Sequence, residues 1–159
     1  MKYRLAGALA VALAISVASA AEAEWPENPA SEVATFATVL RFQIYADHCS
    51  AGLPALGAKF DSLMKSLRDR IRRISTSVLA SDEYHGMKDK LVPVEVIDAL
   101  KHSFHDVEHN VGRLDVASAC PQALRDFGAL DDEALKLTFT SNLTAVHNMS
   151  QKLEAARTR

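Results

Sequence analysis

The sequence predicts an all-α protein: an up-and-down four-helix bundle with a short capping helix and one disulfide. Three observations lead there. Apolar residues recur every three to four positions through four long segments. Gly52, Pro54, Pro93 and Gly128 interrupt the chain between those segments. No strand-like alternation of useful length is present.

The elements follow in order. Met1 to Ala20 begins with Lys2 and Arg4, continues as an apolar run from Leu5 to Val17, and ends Ala18-Ser19-Ala20. A basic start, a short apolar core and a small-x-small ending form a secretory signal peptide. The run falls short of the roughly 20 apolar residues a membrane helix needs. Cleavage after Ala20 is expected, giving a chain of residues 21–159 with 16 basic and 20 acidic residues. Bacterial export to the periplasm or beyond the cell is the favoured destination, with no membrane span after cleavage. The acidic balance provides no basic field for nucleic acid.

Residues 21–30 contain Trp25, Pro26 and Pro29 and read as an extended arm preceding a helical domain over 31–159. Ser31 is placed to cap the first helix, in which Val33, Phe36, Ala37, Leu40 and Ile44 share a face. The second helix carries the clearest stripe: Phe60, Leu63, Met64, Leu67, Ile71, Ile74 and Val78. Between Ser81 and Pro93 the pattern supports only a turn or two of helix. A third helix over about 94–114 buries Ile97, Leu100, Phe104, Val107, Val111 and Leu114. A short segment then opens at Cys120-Pro121, with Pro121 at the first helical position. Asp131 or Asp132 caps the last helix, striped by Leu135, Phe139, Val146, Met149 and Leu153.

Cys49 and Cys120 test this architecture. Export exposes them to an oxidising compartment, and two cysteines permit one internal bridge. Helices one and three of an up-and-down bundle run parallel, so both cysteines arrive at one pole. Those two helices are expected as diagonal partners, with residues 114–120 crossing the bundle end. No Cys-x-x-Cys motif suggests redox chemistry.

The strongest chemical constellation is His102, His105 and His109. Advancing about 100° per residue from His102, His105 falls at about 300° and His109 at about 340°, opposite the apolar stripe. The i, i+4 spacing of His105 and His109 allows two imidazoles on one Zn or Cu ion, with Asp98 and Asp106 as oxygen ligands. The plainer reading is a solvated polar face. His48, beside Cys49, and His147, off the last stripe, are expected as satisfied structural histidines. Arg68, Arg70, Arg72 and Arg73 form the one local basic cluster and a weak partner-binding candidate. They lie at about 80°, 280°, 120° and 220° from Phe60, so they make no single stripe.

No nucleophile elbow, phosphate-binding glycine loop, His-Glu-x-x-His or haem-attachment motif occurs, so no catalytic residue and no obligatory cofactor is assigned. The leading reading is a non-enzymatic exported bundle that binds a protein partner as an inhibitor, chaperone or accessory factor. A metal-binding protein using the third helix comes second, and a small exported enzyme third.

Overall fold

The computed structural model describes residues 24–26 and 29–159; the signal-peptide segment lies outside them. Among the described residues there are six α-helices and no strand. They are α1 (Ala30–Gly52), α2 (Gly57–Leu79), α3 (Asp82–His85), α4 (Val94–Gly112), α5 (Val116–Gly128) and α6 (Asp132–Arg157). A single 3₁₀ turn, Pro54–Leu56, joins α1 to α2. No helix among the described residues is long and apolar enough to cross a membrane.

Helix α1 is the centre of the molecule. It packs on α2, α4, α5 and α6, and it is buried on more than one side. One face carries Val33, Ala34, Ala37, Leu40 and Ile44, which join α4 and α6 in a first core with Phe104, Phe139, Leu143 and Val146. Another carries Phe42, Ala46 and Cys49, which join α2 and α5 in a second core with Phe60, Leu67, Ile71 and Leu135. A helix with two apolar faces packs on both sides, and alanines at positions 30, 34 and 37 let its neighbours approach closely. Thr38, fully buried on α1, donates to the Ala34 carbonyl at 2.8 Å and accepts from Asn142 of α6 at 2.9 Å, so its polar atom is satisfied.

The packing departs from the expected diagonal arrangement. Helices α1 and α4 touch directly, whereas α2 and α4 do not. The physical reason is the double-sided α1, which fills the space that would separate a diagonal pair. Helix α5 covers the lower flank of α1 and α2. Gly52 permits this contact, because a Cβ there would lie 2.6 Å from a Val116 methyl.

Helix termini also refine the sequence reading. Ser31 does not cap α1; it is buried within the first turn, and Pro29 precedes the helix. Pro121 lies inside α5 rather than at its start. The helix begins earlier because Asp115 caps it, accepting from the Ser118 N–H at 3.1 Å and the Ser118 hydroxyl at 2.7 Å. Those bonds hold the Asp115 carboxyl below the usual range. Asp131 caps α6 through the Ala134 N–H at 2.8 Å, as one of the two expected residues. Leu114 falls beyond α4 and is exposed.

Cys49 and Cys120 form a disulfide with Cα atoms 5.4 Å apart, and both residues are fully buried. At the opposite pole the arm returns to the bundle. The Ala30 N–H donates to the Lys90 carbonyl at 2.8 Å, and Trp25 packs edge-on against Phe36 (4.9 Å between centroids) and tilted against Phe104 (5.5 Å). Arg157 near the end of α6 pairs with Glu95 in the first turn of α4.

Candidate functional site

The three histidines of α4 stand where the angular count placed them, all exposed and opposite the buried Ile97, Phe104 and Val111. Their side chains turn to different partners. His102 Nδ1 lies 3.0 Å from the Asp98 carbonyl of its own helix, and His105 Nδ1 lies 3.7 Å from Glu108. The Asp98 carboxylate faces Lys101 at 3.7 Å. Asp106 and His109 are exposed. Among the described residues no three His, Cys, Asp or Glu side chains gather as a metal-holding group.

His48 departs from its expected role. It is half-buried, and its Nε2 is buried without a hydrogen-bond partner among the described residues. It lines a cleft of about 230 Å³ with Leu40, Ile44, Asp47 and Glu108, between the C-terminal ends of α1 and α4. Burial pushes the neighbouring Asp47 carboxyl up, against the opposing effect of a 2.6 Å bond from Gln43.

The four arginines of α2 separate into two pairs, Arg70 and Arg73 beside one shallow depression and Arg68 and Arg72 along a groove. Arg70 is a structural clamp: it reaches Asp132 at 2.7 Å and the Leu130 carbonyl at 2.7 Å, tying α2 to the start of α6. Arg73 lies over a shallow polar depression with Ser62, Lys65, Ser66 and Asp69. Arg68 and Arg72 line one wall of the groove, of about 950 Å³. They are one helical turn apart, and the sequence angles already put them about 40° from each other.

This groove runs between α1 and α2 and is closed at one end by the arm. Its floor is Trp25, Pro26, Phe36, Val39 and Leu40. Phe36 and Val39 are only half-buried, so apolar surface is left facing the opening. Glu32, in the first turn of α1, and Glu24 of the arm also line it, while Gln43 lies about three turns further along α1. Arg68 donates to the Gln43 side chain, which in turn donates to Asp47. The lining acids therefore lie toward the start of α1 and the lining arginines toward its middle, where Asp47, behind Gln43, offsets part of the Arg68 charge. No ion pair joins these acids to these arginines among the described residues.

Reading the sequence by helical stripes missed the groove because its parts come from three segments. Trp25 belongs to an arm with no periodicity, and Phe36 reads as ordinary core. The available signals were a lone tryptophan between prolines and glutamates, and two arginines four residues apart. No protein-family model, curated protein or solved structure matches this chain.

Proposed function

We propose that this chain is an exported, non-enzymatic helical protein that acts by binding a protein partner, as an inhibitor, chaperone or accessory factor, and that the partner docks in the α1–α2 groove. The observation that carries the reading is the groove itself: a half-exposed aromatic and aliphatic floor beneath paired arginines. Concave apolar surface flanked by a few oriented polar groups is the common form of a binding site. Aromatic and arginine side chains are also those most enriched where binding energy concentrates.

Export fits the same reading. A buried disulfide suits an oxidising compartment, and the predicted leader would deliver the chain to the periplasm or outside the cell. Intact mass of the exported protein should correspond to residues 21–159; a mass retaining Met1 would contradict processing. The helices are read as an up-down-up-down set of α1, α2, α4 and α6, with α5 as the short capping helix.

Photo-crosslinking tests the docking face. A crosslinking amino acid replaces Val39 on the groove floor or, as a control, Leu137, which is 69% exposed on α6. Expressed in the exporting host, the Val39 derivative should yield one dominant protein adduct that the Leu137 derivative lacks. Adducts from position 137 alone, or none from position 39, would overturn the assignment.

A further inference from the structure

We infer that the segment held in this groove is a short amphipathic peptide stretch of the partner, apolar through its centre and acidic at the end lying against Arg68 and Arg72. This rests on the groove being the docking face and specifies what it recognises.

Charge complementarity carries the inference. The floor contributed by Phe36 and Val39 is apolar and uncharged, so it selects for apolar side chains without fixing their direction. Direction comes from the ends. Glu24 and Glu32 sit where α1 begins, whereas Arg68 sits beside Gln43, eleven residues further along that helix. At 1.5 Å per residue those ends are about 16 Å apart. That span accommodates about three turns of helix, or about five extended residues, and is the scale of a helix-in-groove contact. Carboxylates at the arginine end meet two guanidiniums; reversing the segment would place them against Glu24 and Glu32.

The arginines differ in readiness. Arg68 is held in place through Gln43, so less side-chain freedom is lost when it engages a carboxylate. Arg72 makes no side-chain bond among the described residues and so retains its full donor fork for an incoming acid. The groove is open along its length, which argues against a fatty-acid chain, since an alkyl tail lying there would keep one side in water.

Trp25 supplies a built-in reporter, because it is the only tryptophan in the chain and lines the groove. The probes are three twelve-residue synthetic peptides without tryptophan. All share a central Leu-Ala-Ala-Phe-Leu core; one has Glu at its C-terminal end and Lys at its N-terminal end, one has these ends exchanged, and one has Ser at both. Emission is titrated against the oxidised protein, residues 21–159. An exchanged peptide could bind backwards, so the charge test rests on the variants. The Glu-ended peptide should shift the emission saturably. Arg68→Gln with Arg72→Gln should weaken it about tenfold, a difference of about 1.4 kcal/mol, and leave the Ser-ended peptide within about twofold. Arg68→Glu with Arg72→Glu should reduce the binding further, with helix content unchanged by circular dichroism because both residues are exposed.

Equal binding of the Glu-ended and Ser-ended peptides, or the same loss for both in the Gln variant, would overturn the acidic-end assignment while leaving a Val39 crosslink, and thus the docking face, intact. Saturable binding of sodium dodecanoate with none of the peptides would overturn it in favour of an anionic amphiphile. Crosslinking from Leu137 alone would overturn the docking face and the inference together.

Discussion

Around Cys49 the core is closed covalently, with Cys120 joined to it and Phe60, Leu67, Ile71 and Leu135 fully buried alongside. Around Trp25 the closure is non-covalent: one arm residue covers the first core by packing on Phe36 and Phe104. The second core also has an aromatic cluster, since Phe127 of α5 stands edge-on to Phe42 (5.0 Å) and Tyr45 (5.4 Å). The two ends therefore fail differently. A disulfide acts largely by restricting the unfolded chain, so its loss lowers stability with little change in native contacts. An aromatic lid acts through native contacts, so its loss opens the surface it covered. The groove borders the second kind of closure, where local opening is easier.

Four measurements would break or sharpen that contrast. The largest effect is expected from replacing both cysteines by alanine. The bridge spans 71 residues, and its removal should cost about 4 kcal/mol in denaturant unfolding. Hydrogen exchange should quicken first in α5 and the end of α1. Faster exchange spread evenly over α4 and α6 would erase the distinction between the two cores.

Trp25→Ala should cost about 3 kcal/mol, because a buried aromatic is lost from the first core. The disulfide end should keep its exchange protection. An effect below about 0.5 kcal/mol would mean that the arm is not a lid, since that is the level of ordinary surface substitutions.

Thr38→Val preserves shape but leaves the Asn142 amide without its partner. A loss of about 1 kcal/mol is expected. Because the bond joins α1 to α6, melting of the two cores should become less coincident by separate probes.

The smallest effect carries the opposite sign. Folding raises the Asp47 pKa, so the folded chain retains a proton at pH values where the unfolded chain has lost it. This carboxyl therefore favours folding most at low pH, and its contribution declines as pH rises from about 3.9 through the elevated value. Asp47→Asn should flatten that slope and, after solvent screening, add less than about 0.5 kcal/mol at neutral pH. The Gln43 bond can persist on the amide oxygen. A destabilised Asn variant at pH 7 would show that attraction to Arg68 outweighs burial.

How much the sequence discloses depends on how many sides of a helix are buried. Helix α2 has one apolar face, and every residue of its predicted stripe is buried or half-buried. Helix α1 has two, so a single-stripe reading finds Val33, Ala37 and Leu40 but passes over Phe42 and Ala46, whose partners lie on α2 and α5. Periodicity weakens when burial surrounds a helix. Chain order made the Cys49–Cys120 bridge legible: Cys49 lies in the last turn of α1, and Cys120 lies in α5, shortly after α4. The outward placement of the α4 histidines was equally legible, being an angular property. Their separate partners were not, because rotamers and local bonds decide where each ring turns. The groove lay further from reach: Arg68 and Arg72 share a helix face, but only tertiary packing brings Trp25 opposite them.

The position of α1 has a consequence for the order of synthesis. The helix at the centre of the fold is the first of the described helices to be made, while Thr38 must wait for Asn142, 104 residues later. At about 5–20 residues per second, that interval is about 5–20 s of elongation. Throughout it, α2, α4 and α5 can settle on α1, but the side that α6 covers has no partner. The side of α1 that Phe139, Leu143 and Val146 cover therefore stays open to solvent until the last helix arrives.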